Sequence, residues 1–261
     1  MSLPLSTLTT FGDDYISGTN SANTLIGDAG SDTLVGLSGD DTLLGGSGDD
    51  TLEGNYGNDT LRGGMGDDTL NGGLGADIIH GGFGNDNITA TEDDILVTGD
   101  AGFDILKVRD SSGDQIVDVD MTSGTYRGFE ALVGDFDRAG GDEVSLKISL
   151  DQILNQSKDD GDASTPDADN TFIAVGIDSL LIANGRNWNE GGDYNVIEVD
   201  LDATAEAAYL EMIGLERPNT DLHSYTFTKG SGEHVTIITD LSLEDITDAS
   251  TGEDLSADLP A

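Results

Sequence analysis

The sequence lacks cysteine and is poor in basic residues, aromatic residues and long apolar runs. Its 261 residues include no Cys, 4 Pro and 10 Lys plus Arg, and aromatic residues make up 5%. Without Cys, the fold cannot depend on disulfide bonds or on a thiolate metal site. No apolar run approaches the roughly 20 residues that span a bilayer, so membrane insertion is not expected. The start MSLPLSTLTTFGDDY has neither the basic nor the apolar segment of a cleaved secretory peptide, so none is expected.

Acidic residues dominate what is present. Asp plus Glu number 52, which gives a formal net charge of -42. A folded chain with this imbalance repels itself unless cations neutralise it. Nucleic acid and anionic membrane surfaces are therefore expected to be poor partners, whereas metal cations are expected to be good ones.

A nine-residue pattern repeats without insertion from Gly27 to Thr89, with copies such as GDAGSDTLV, GGSGDDTLE and GGMGDDTLN. We number its positions as places one to nine. Places one and four are Gly, place six is Asp and place eight is aliphatic in each of these copies. Weaker copies precede Gly27, with Asn23 at place six of one of them, and are typical of a terminal cap. The copy at 90–98 has lost its glycines and puts Ile95 at place six, but the copy at 99–107 restores the motif with Asp104 in phase.

The pattern predicts a turn followed by a short strand in every copy. Glycines permit tight bends, and the polar–aliphatic–variable triplet alternates like a half-buried strand. Two strands per eighteen-residue coil would wind into two parallel sheets, with the place-eight side chains inside. This core is only one aliphatic residue deep per strand, so it is not expected to offset chain entropy unaided.

The place-six acids fall into two columns, because coils stack every eighteen residues. One column holds Asp14, Asp32, Asp50, Asp68, Asp86 and Asp104, and the other holds Asn23, Asp41, Asp59 and Asp77. With carbonyls of the glycine turns they would form oxygen-only sites, which suit calcium better than magnesium. Adjacent Asp–Asp pairs give five sites in the first column and two in the second, about seven calcium ions in total, with Asn23/Asp41 as a weaker eighth. The place-five acids Asp40, Asp49 and Asp67 are expected to face solvent.

The pattern over residues 12–107 resembles the RTX calcium-binding nonapeptide GGxGxDxUx. The resemblance implies a parallel β-roll in which the place-six Asp side chains and the turn carbonyls bind calcium. The implied carbonyl residues are Gly27, Gly30, Gly36, Gly39, Gly45, Gly46, Gly48, Gly54, Gly57, Gly63, Gly64, Gly66, Gly72, Gly73, Gly75, Gly81, Gly82 and Gly84. Asn23 and Ile95 depart from the family pattern.

Residues 108–250 are predicted to form a β-rich C-terminal domain with one or two short helices, followed by an acidic tail at 251–261. Strands are expected at 115–119, 129–133, 172–175, 178–183, 194–199, 225–228 and 234–239, with helices after Ser149 and at 203–213. Residues 158–169 are expected to be a polar loop. The order of segments resembles the C-terminal region of type I-secreted RTX proteins, which implies an uncleaved export signal and use of the type I secretion machinery.

No catalytic motif was found, because H-E-x-x-H, G-x-S-x-G, P-loop and G-x-G-x-x-G patterns are all missing and the three His residues are scattered. We therefore expect no enzyme and no catalytic residues. The fold class expected is mostly all-β. The function expected is a secreted, extracellular calcium-binding β-roll that folds on binding calcium, as a structural component of a matrix, surface layer or filament. The alternative is a calcium-dependent adhesion or ligand-binding module with its site in 108–250. Tyr56, Met65, Leu74 and Phe83 form a candidate apolar strip for homo-assembly.

Overall fold

The structure is a computed structural model, and it describes residues 11–111, 116–134, 143–149, 153, 171–175, 177–183, 195–201, 203–215, 222–228, 234–242 and 245–248. The chain divides into two compact units. The first contains the described residues up to 111 together with Gly124–Phe129, and the second contains the remainder. No described helix is both long enough and apolar enough to cross a membrane.

The repeats form a two-sheet parallel β-roll, as predicted. Its strands are β1 Tyr15–Ser17, β2 Thr24–Ala29, β3 Thr33–Ser38, β4 Thr42–Ser47, β5 Thr51–Tyr56, β6 Thr60–Met65, β7 Thr69–Leu74, β8 Ile78–Phe83, β9 Asn87–Thr91, β10 Leu96–Ala101 and β11 Ile105–Arg109. Odd-numbered strands pair in the order β1-β3-β5-β7-β9-β11, and even-numbered strands pair in the order β2-β4-β6-β8-β10. Successive repeats therefore alternate between the two sheets.

The register places the same repeat position above itself every eighteen residues. Leu34 pairs with Leu52 in one sheet, and Leu43 pairs with Leu61 in the other. The place-eight side chains from Leu25 to Leu106 are 0% exposed and form the inner ladder of the roll. The predicted core is confirmed, because alternation along a strand turns only one side chain of each triplet inward.

The turns require a left-handed backbone at places two and four. Place four is Gly in these copies, and a Cβ there would lie against the backbone of the preceding coil. Place two also has positive φ, yet it is Gly in only some copies and is Leu37 in another, with φ 79°. A left-handed conformation costs an L-residue other than Gly, Asn or Asp roughly 1–2 kcal/mol, so Leu37 stores local strain.

The degenerate copy at 90–98 keeps the strand phase but not the predicted turn. Val97 pairs with Ile79, eighteen residues earlier, so the continuing stack is confirmed. The placement of Ile95 in the acidic column is wrong, since this side chain is 60% exposed. Asp94 is buried there instead, and its Oδ1 accepts the Asp77 N–H at 3.0 Å. The missing glycines make a tighter turn, in which the Thr91 N–H donates to Asp94 Oδ2 at 2.8 Å.

The four candidate assembly residues do not form one strip. Tyr56 pairs with Leu74 at the ends of β5 and β7, whereas Met65 pairs with Phe83 at the ends of β6 and β8. Because these strands belong to different sheets and lead into different turns, the residues form two exposed apolar pairs on opposite edges of the roll.

The second unit is β-rich, as predicted. Its strands are β12 Ile116–Asp120, β14 Ala131–Val133, β15 Glu143–Ser149, β16 Thr171–Val175, β17 Ser179–Ala183, β18 Asn195–Asp200, β19 His223–Thr228, β20 His234–Thr239 and β21 Ile246–Asp248. One parallel sheet has the order β12-β15-β17-β21, and the other strands follow the order β14-β16-β20-β19-β18, where β19 is antiparallel to both neighbours.

One α-helix, α1 at Ala203–Met212, lies within the described part of the second unit. It ends where predicted, because Gly214 has φ 70° and the Leu215 N–H donates to the Leu210 carbonyl at 2.8 Å. Apart from Ile153, the helix expected after Ser149 lies outside the described residues, as do the loop at 158–169 and the tail at 251–261.

Candidate metal centre

The place-six aspartates are buried and connect neighbouring coils. The Asp32 N–H donates to Asp50 Oδ1 at 2.8 Å, and the Asp50 N–H donates to Asp68 Oδ1 at 2.7 Å. The same contact recurs in the second column, where the Asp41 N–H donates to Asp59 Oδ1 at 2.7 Å. Each carboxylate therefore uses one oxygen to hold the backbone of the preceding coil.

The other carboxylate oxygen has no hydrogen-bond partner within the described part of the chain. This holds for Oδ2 of seven buried aspartates, namely Asp32, Asp41, Asp50, Asp59, Asp68, Asp77 and Asp86. A buried charged oxygen without a partner is costly, because a buried carboxylate loses its hydration. These oxygens therefore indicate that a cation belongs beside them.

Each such oxygen except that of Asp77 lies close to a carbonyl oxygen of the next coil, and we call this pair of oxygens with its neighbouring glycine a cage. A cage is bounded by the place-one glycine of the same repeat, by Asp Oδ2 and by the place-one carbonyl of the next coil. A Cβ built on Gly36 would lie 2.5 Å from Asp41 Oδ2 and 2.9 Å from the Gly54 carbonyl oxygen. Equivalent cages combine Asp32 with Gly45, Asp50 with Gly63, Asp59 with Gly72, Asp68 with Gly81 and Asp86 with Gly99.

The chemistry of the cages fits calcium. Calcium takes 6–8 oxygen ligands at about 2.3–2.6 Å in flexible geometry, and carboxylate and backbone carbonyl oxygens are its usual protein ligands. A bound calcium ion would supply the positive charge that the Oδ2 atoms lack. Each cage brings together one carboxylate oxygen and one carbonyl oxygen, and no group of three or more His, Cys, Asp or Glu gathers in the described residues.

The predicted glycines divide into two roles. The place-one glycines Gly27, Gly36, Gly45, Gly54, Gly63, Gly72 and Gly81 each border an aspartate oxygen. The remaining predicted glycines, at places two and four, lie against backbone of the preceding coil and shape the turn. Gly99 was not among the predicted site residues, although it occupies place one of the restored copy and its carbonyl borders the Asp86 cage.

Burial makes the carboxyl groups hard to ionise without a cation. Desolvation raises the pKa of Asp68, Asp77 and Asp86 to about 7 and that of Asp41 and Asp50 to about 6. The N–H donated from the preceding coil opposes this rise in pKa, and the neighbouring carboxylates of the column add to it. The cages are therefore poised to bind either protons or metal cations.

The place-five acids lie outside the cages. Asp40, Asp49 and Asp67 are exposed, and each accepts an N–H from the adjacent coil, as in the 3.0 Å bond from the Asp67 N–H to Asp49 Oδ1. Their charge faces solvent beside the turns.

The two columns end differently. Asp14 is half-buried, and its N–H donates to Asp32 Oδ1 at 2.7 Å. Asn23 accepts the Thr19 N–H at 2.6 Å through the oxygen that would face a cage.

The last sites of the second column also differ from the others. A Cβ built on Gly72 would have Ile79 Cδ1 as a near neighbour at 3.0 Å, where the cages have a carbonyl, so the Asp77 site is poorer in oxygen. Asp94, which sequence reasoning missed because it is one residue out of phase, closes the second column with both oxygens occupied by N–H groups.

The comparisons with known proteins agree with this chemistry. Residues 8–43, 44–79 and 71–106 each match the family model of the RTX calcium-binding nonapeptide repeat, four copies at a time. Neither a curated protein nor a solved structure matches the chain. Residues 8–106 therefore consist of RTX calcium-binding nonapeptide repeats.

Proposed function

We propose that calcium binding drives folding of this protein outside the cell, where it serves as a structural component of a matrix, surface layer or filament. The observation that carries the proposal is the row of buried Asp Oδ2 atoms without hydrogen-bond partners in the described chain. Folding without a cation leaves these oxygens desolvated, whereas binding a cation in the cages satisfies them. Calcium-binding free energy then contributes directly to folding free energy.

Repulsion between the carboxylates of one column opposes folding in the absence of a cation. Parallel strands lie about 4.8 Å apart, and two unit charges at that distance repel by about 3.5 kcal/mol at an effective dielectric constant of 20. Each pair of consecutive members from Asp32 to Asp104 adds one such repulsion, and these repulsions oppose folding of the calcium-free roll. Weak calcium sites of extracellular modules fill at about 0.1–1 mM, so the roll stays open in the cytosol and closes outside.

This behaviour suits export of an unfolded chain through the type I secretion machinery, followed by folding at the destination. The two apolar pairs, Tyr56 with Leu74 and Met65 with Phe83, support homo-assembly of the folded roll. Contacts made through opposite edges of one molecule propagate instead of closing into a dimer.

A calcium titration tests the folding proposal. We expect far-UV circular dichroism of the calcium-free protein at neutral pH to show little β-structure, and calcium to restore it cooperatively. Asp50→Ala should lower the number of bound ions and the cooperativity, whereas Asp49→Ala, which removes an exposed acid next to it, should change neither. Full β-content in excess EGTA would refute the proposal.

Electron microscopy with and without calcium tests the structural role. Ordered assemblies that require calcium are the expected result, and a double variant Tyr56→Ser, Phe83→Ser should reduce them without reducing calcium uptake. A monomer that persists at high protein and calcium concentrations would refute assembly.

The second candidate function is a binding module in the second unit. A groove of about 450 Å³ crosses the outer face of the sheet β12-β15-β17-β21, with Asp118, Ser145 and Leu181 among its lining residues. Asp120 and Lys147 form an ion pair at 2.8 Å within it. A groove of this kind presents donors and acceptors to a polar ligand. The variant Ser145→Trp would fill the groove with an indole ring. If this variant binds a polysaccharide or peptide as well as the wild type does, the groove is not the binding site.

A further inference from the structure

The segment Gly124–Phe129 lies outside the repeats, which end at residue 107, yet it belongs to the same compact unit as the roll. Its two-residue strand β13, Tyr126–Arg127, pairs in parallel with β10 and extends the even-numbered sheet. The Val97 N–H donates to the Thr125 carbonyl at 2.8 Å. The buried Tyr126 hydroxyl donates to the Thr91 carbonyl at 3.0 Å.

The register gives this segment the position of a further coil. Thr98 pairs with His80 on one side, eighteen residues earlier, and with Arg127 on the other, twenty-nine residues later. Gly128 follows Arg127 directly, as Gly99 follows Thr98. It therefore occupies the place-one position of a coil that the nonapeptide repeats do not build.

The same pair of oxygens, one from a carboxylate and one from a next-coil carbonyl, comes together at this position. A Cβ built on Gly99 would collide with both the Gly128 carbonyl oxygen and Asp104 Oδ2. Asp104 is 0% exposed, and its Oδ1 accepts the Asp86 N–H at 2.8 Å. The arrangement of glycine, aspartate oxygen and next-coil carbonyl is the same as in the cages within the repeats.

We propose that Asp104 and the Gly128 carbonyl hold a calcium ion, and that this ion orders the segment Gly124–Phe129 against the last coil of the roll. The inference rests on the proposed calcium-dependent folding. It adds a ligand that no repeat motif marks, because Gly128 stands in the stretch TYRGFE. It also makes the last site of the first column depend on a residue outside the matched repeats.

Two glycines of the segment provide a matched pair of variants. Gly128 has φ 67° and Gly124 has φ 87°, so alanine at either position strains the backbone. A Cβ on Gly128 would lie 3.0 Å from the Asp100 backbone N and displace the carbonyl of the cage. A Cβ on Gly124 would meet only the flexible Arg127 side chain, with Nη2 at 3.0 Å. Gly124→Ala therefore carries the backbone strain without touching the cage.

The test combines a count of bound calcium by equilibrium dialysis with hydrogen–deuterium exchange of the full-length chain. In the wild type, calcium should slow exchange of the peptide covering Gly124–Phe129 by roughly tenfold or more. Gly128→Ala and Asp104→Asn should each bind one ion fewer and lose this protection, while Gly124→Ala keeps the full count. Asp104→Asn keeps the test informative if Gly128→Ala fails to fold.

The outcomes separate this inference from the proposed function. If peptides of β5 gain protection with calcium while the peptide covering Gly124–Phe129 does not, the Gly128 site is refuted and calcium-dependent folding stands. The site is equally refuted if Gly128→Ala retains the wild-type ion count, or if Gly124→Ala loses as many ions as Gly128→Ala. Exchange that is equally slow everywhere in EGTA refutes both.

Discussion

Lowering the pH of the calcium-free protein from about 8 to about 5.5 should restore part of the β-roll. Burial raises the pKa of Asp68, Asp77 and Asp86 to about 7 in the folded chain, while the same groups in the unfolded chain titrate near their ordinary value of about 3.9. Between these values the folded state binds more protons than the unfolded state. Stability therefore rises as the pH falls through about 7, and the full gain is reached below about 4.

The size of the effect follows from the pKa shift. A rise in pKa from 3.8 to about 7 corresponds to at most about 4 kcal/mol for one carboxyl group. A protonated Oδ2 can donate to the Gly81 carbonyl, which borders the Asp68 cage. Calcium binding should show the opposite trend, since the carboxyl groups must lose their protons to bind the ion.

Urea unfolding and far-UV circular dichroism of metal-stripped protein, with residual calcium measured by atomic emission, provide the assay. Asp68→Asn should lose part of the pH dependence because an amide cannot titrate, whereas Asp49→Asn removes an equal but exposed charge and should retain it. If both variants lose the same amount, the effect comes from the net charge of -42 and the reasoning from buried oxygens is refuted. Unchanged β-content at the lower pH would refute it as well.

Three further outcomes are expected. Gly63→Ala should bind fewer calcium ions by equilibrium dialysis, because its Cβ would lie 2.7 Å from the Gly81 carbonyl oxygen and against Asp68 Oδ2; an unchanged ion count would contradict the cage geometry. Leu37→Gly should raise the free energy of unfolding in calcium by about 1 kcal/mol by relieving the φ of 79°, and a lower urea midpoint would contradict this. Asp94→Ala should lower that free energy by about 2–4 kcal/mol, since two N–H groups lose their acceptor, without changing the ion count; loss of an ion would make Asp94 a ligand.

The repeat unit could be predicted from the sequence because its determinants are local. Glycine at places one and four, aspartate at place six and an aliphatic residue at place eight specify a turn and a half-buried strand within nine residues. Stacking such units requires only that the period stay constant. The two sheets, the inward ladder from Leu25 to Leu106 and the two acidic columns therefore follow from spacing alone.

The details of the site were not predictable in the same way. The sequence suggested pairs of aspartates, but in the structure one oxygen of each buried place-six aspartate is held by a backbone N–H, and the other faces a carbonyl of the next coil at every one except Asp77. Which oxygen is held depends on side-chain torsion and on the distance between coils. Similarly, Asp94 instead of Ile95 enters the column because the turn without glycines is one residue tighter.

The sequence by itself determined the coil, the core and the identity of the ion, since each depends on residues within one or two periods. Only the tertiary structure decided how the array ends. Gly128 reaches the Asp104 cage because the chain returns as β13 beside β10. That pairing spans twenty-nine residues instead of eighteen, and no local pattern encodes it. The site at Asp104 is therefore completed by a strand pairing outside the repeats and not by the repeat period.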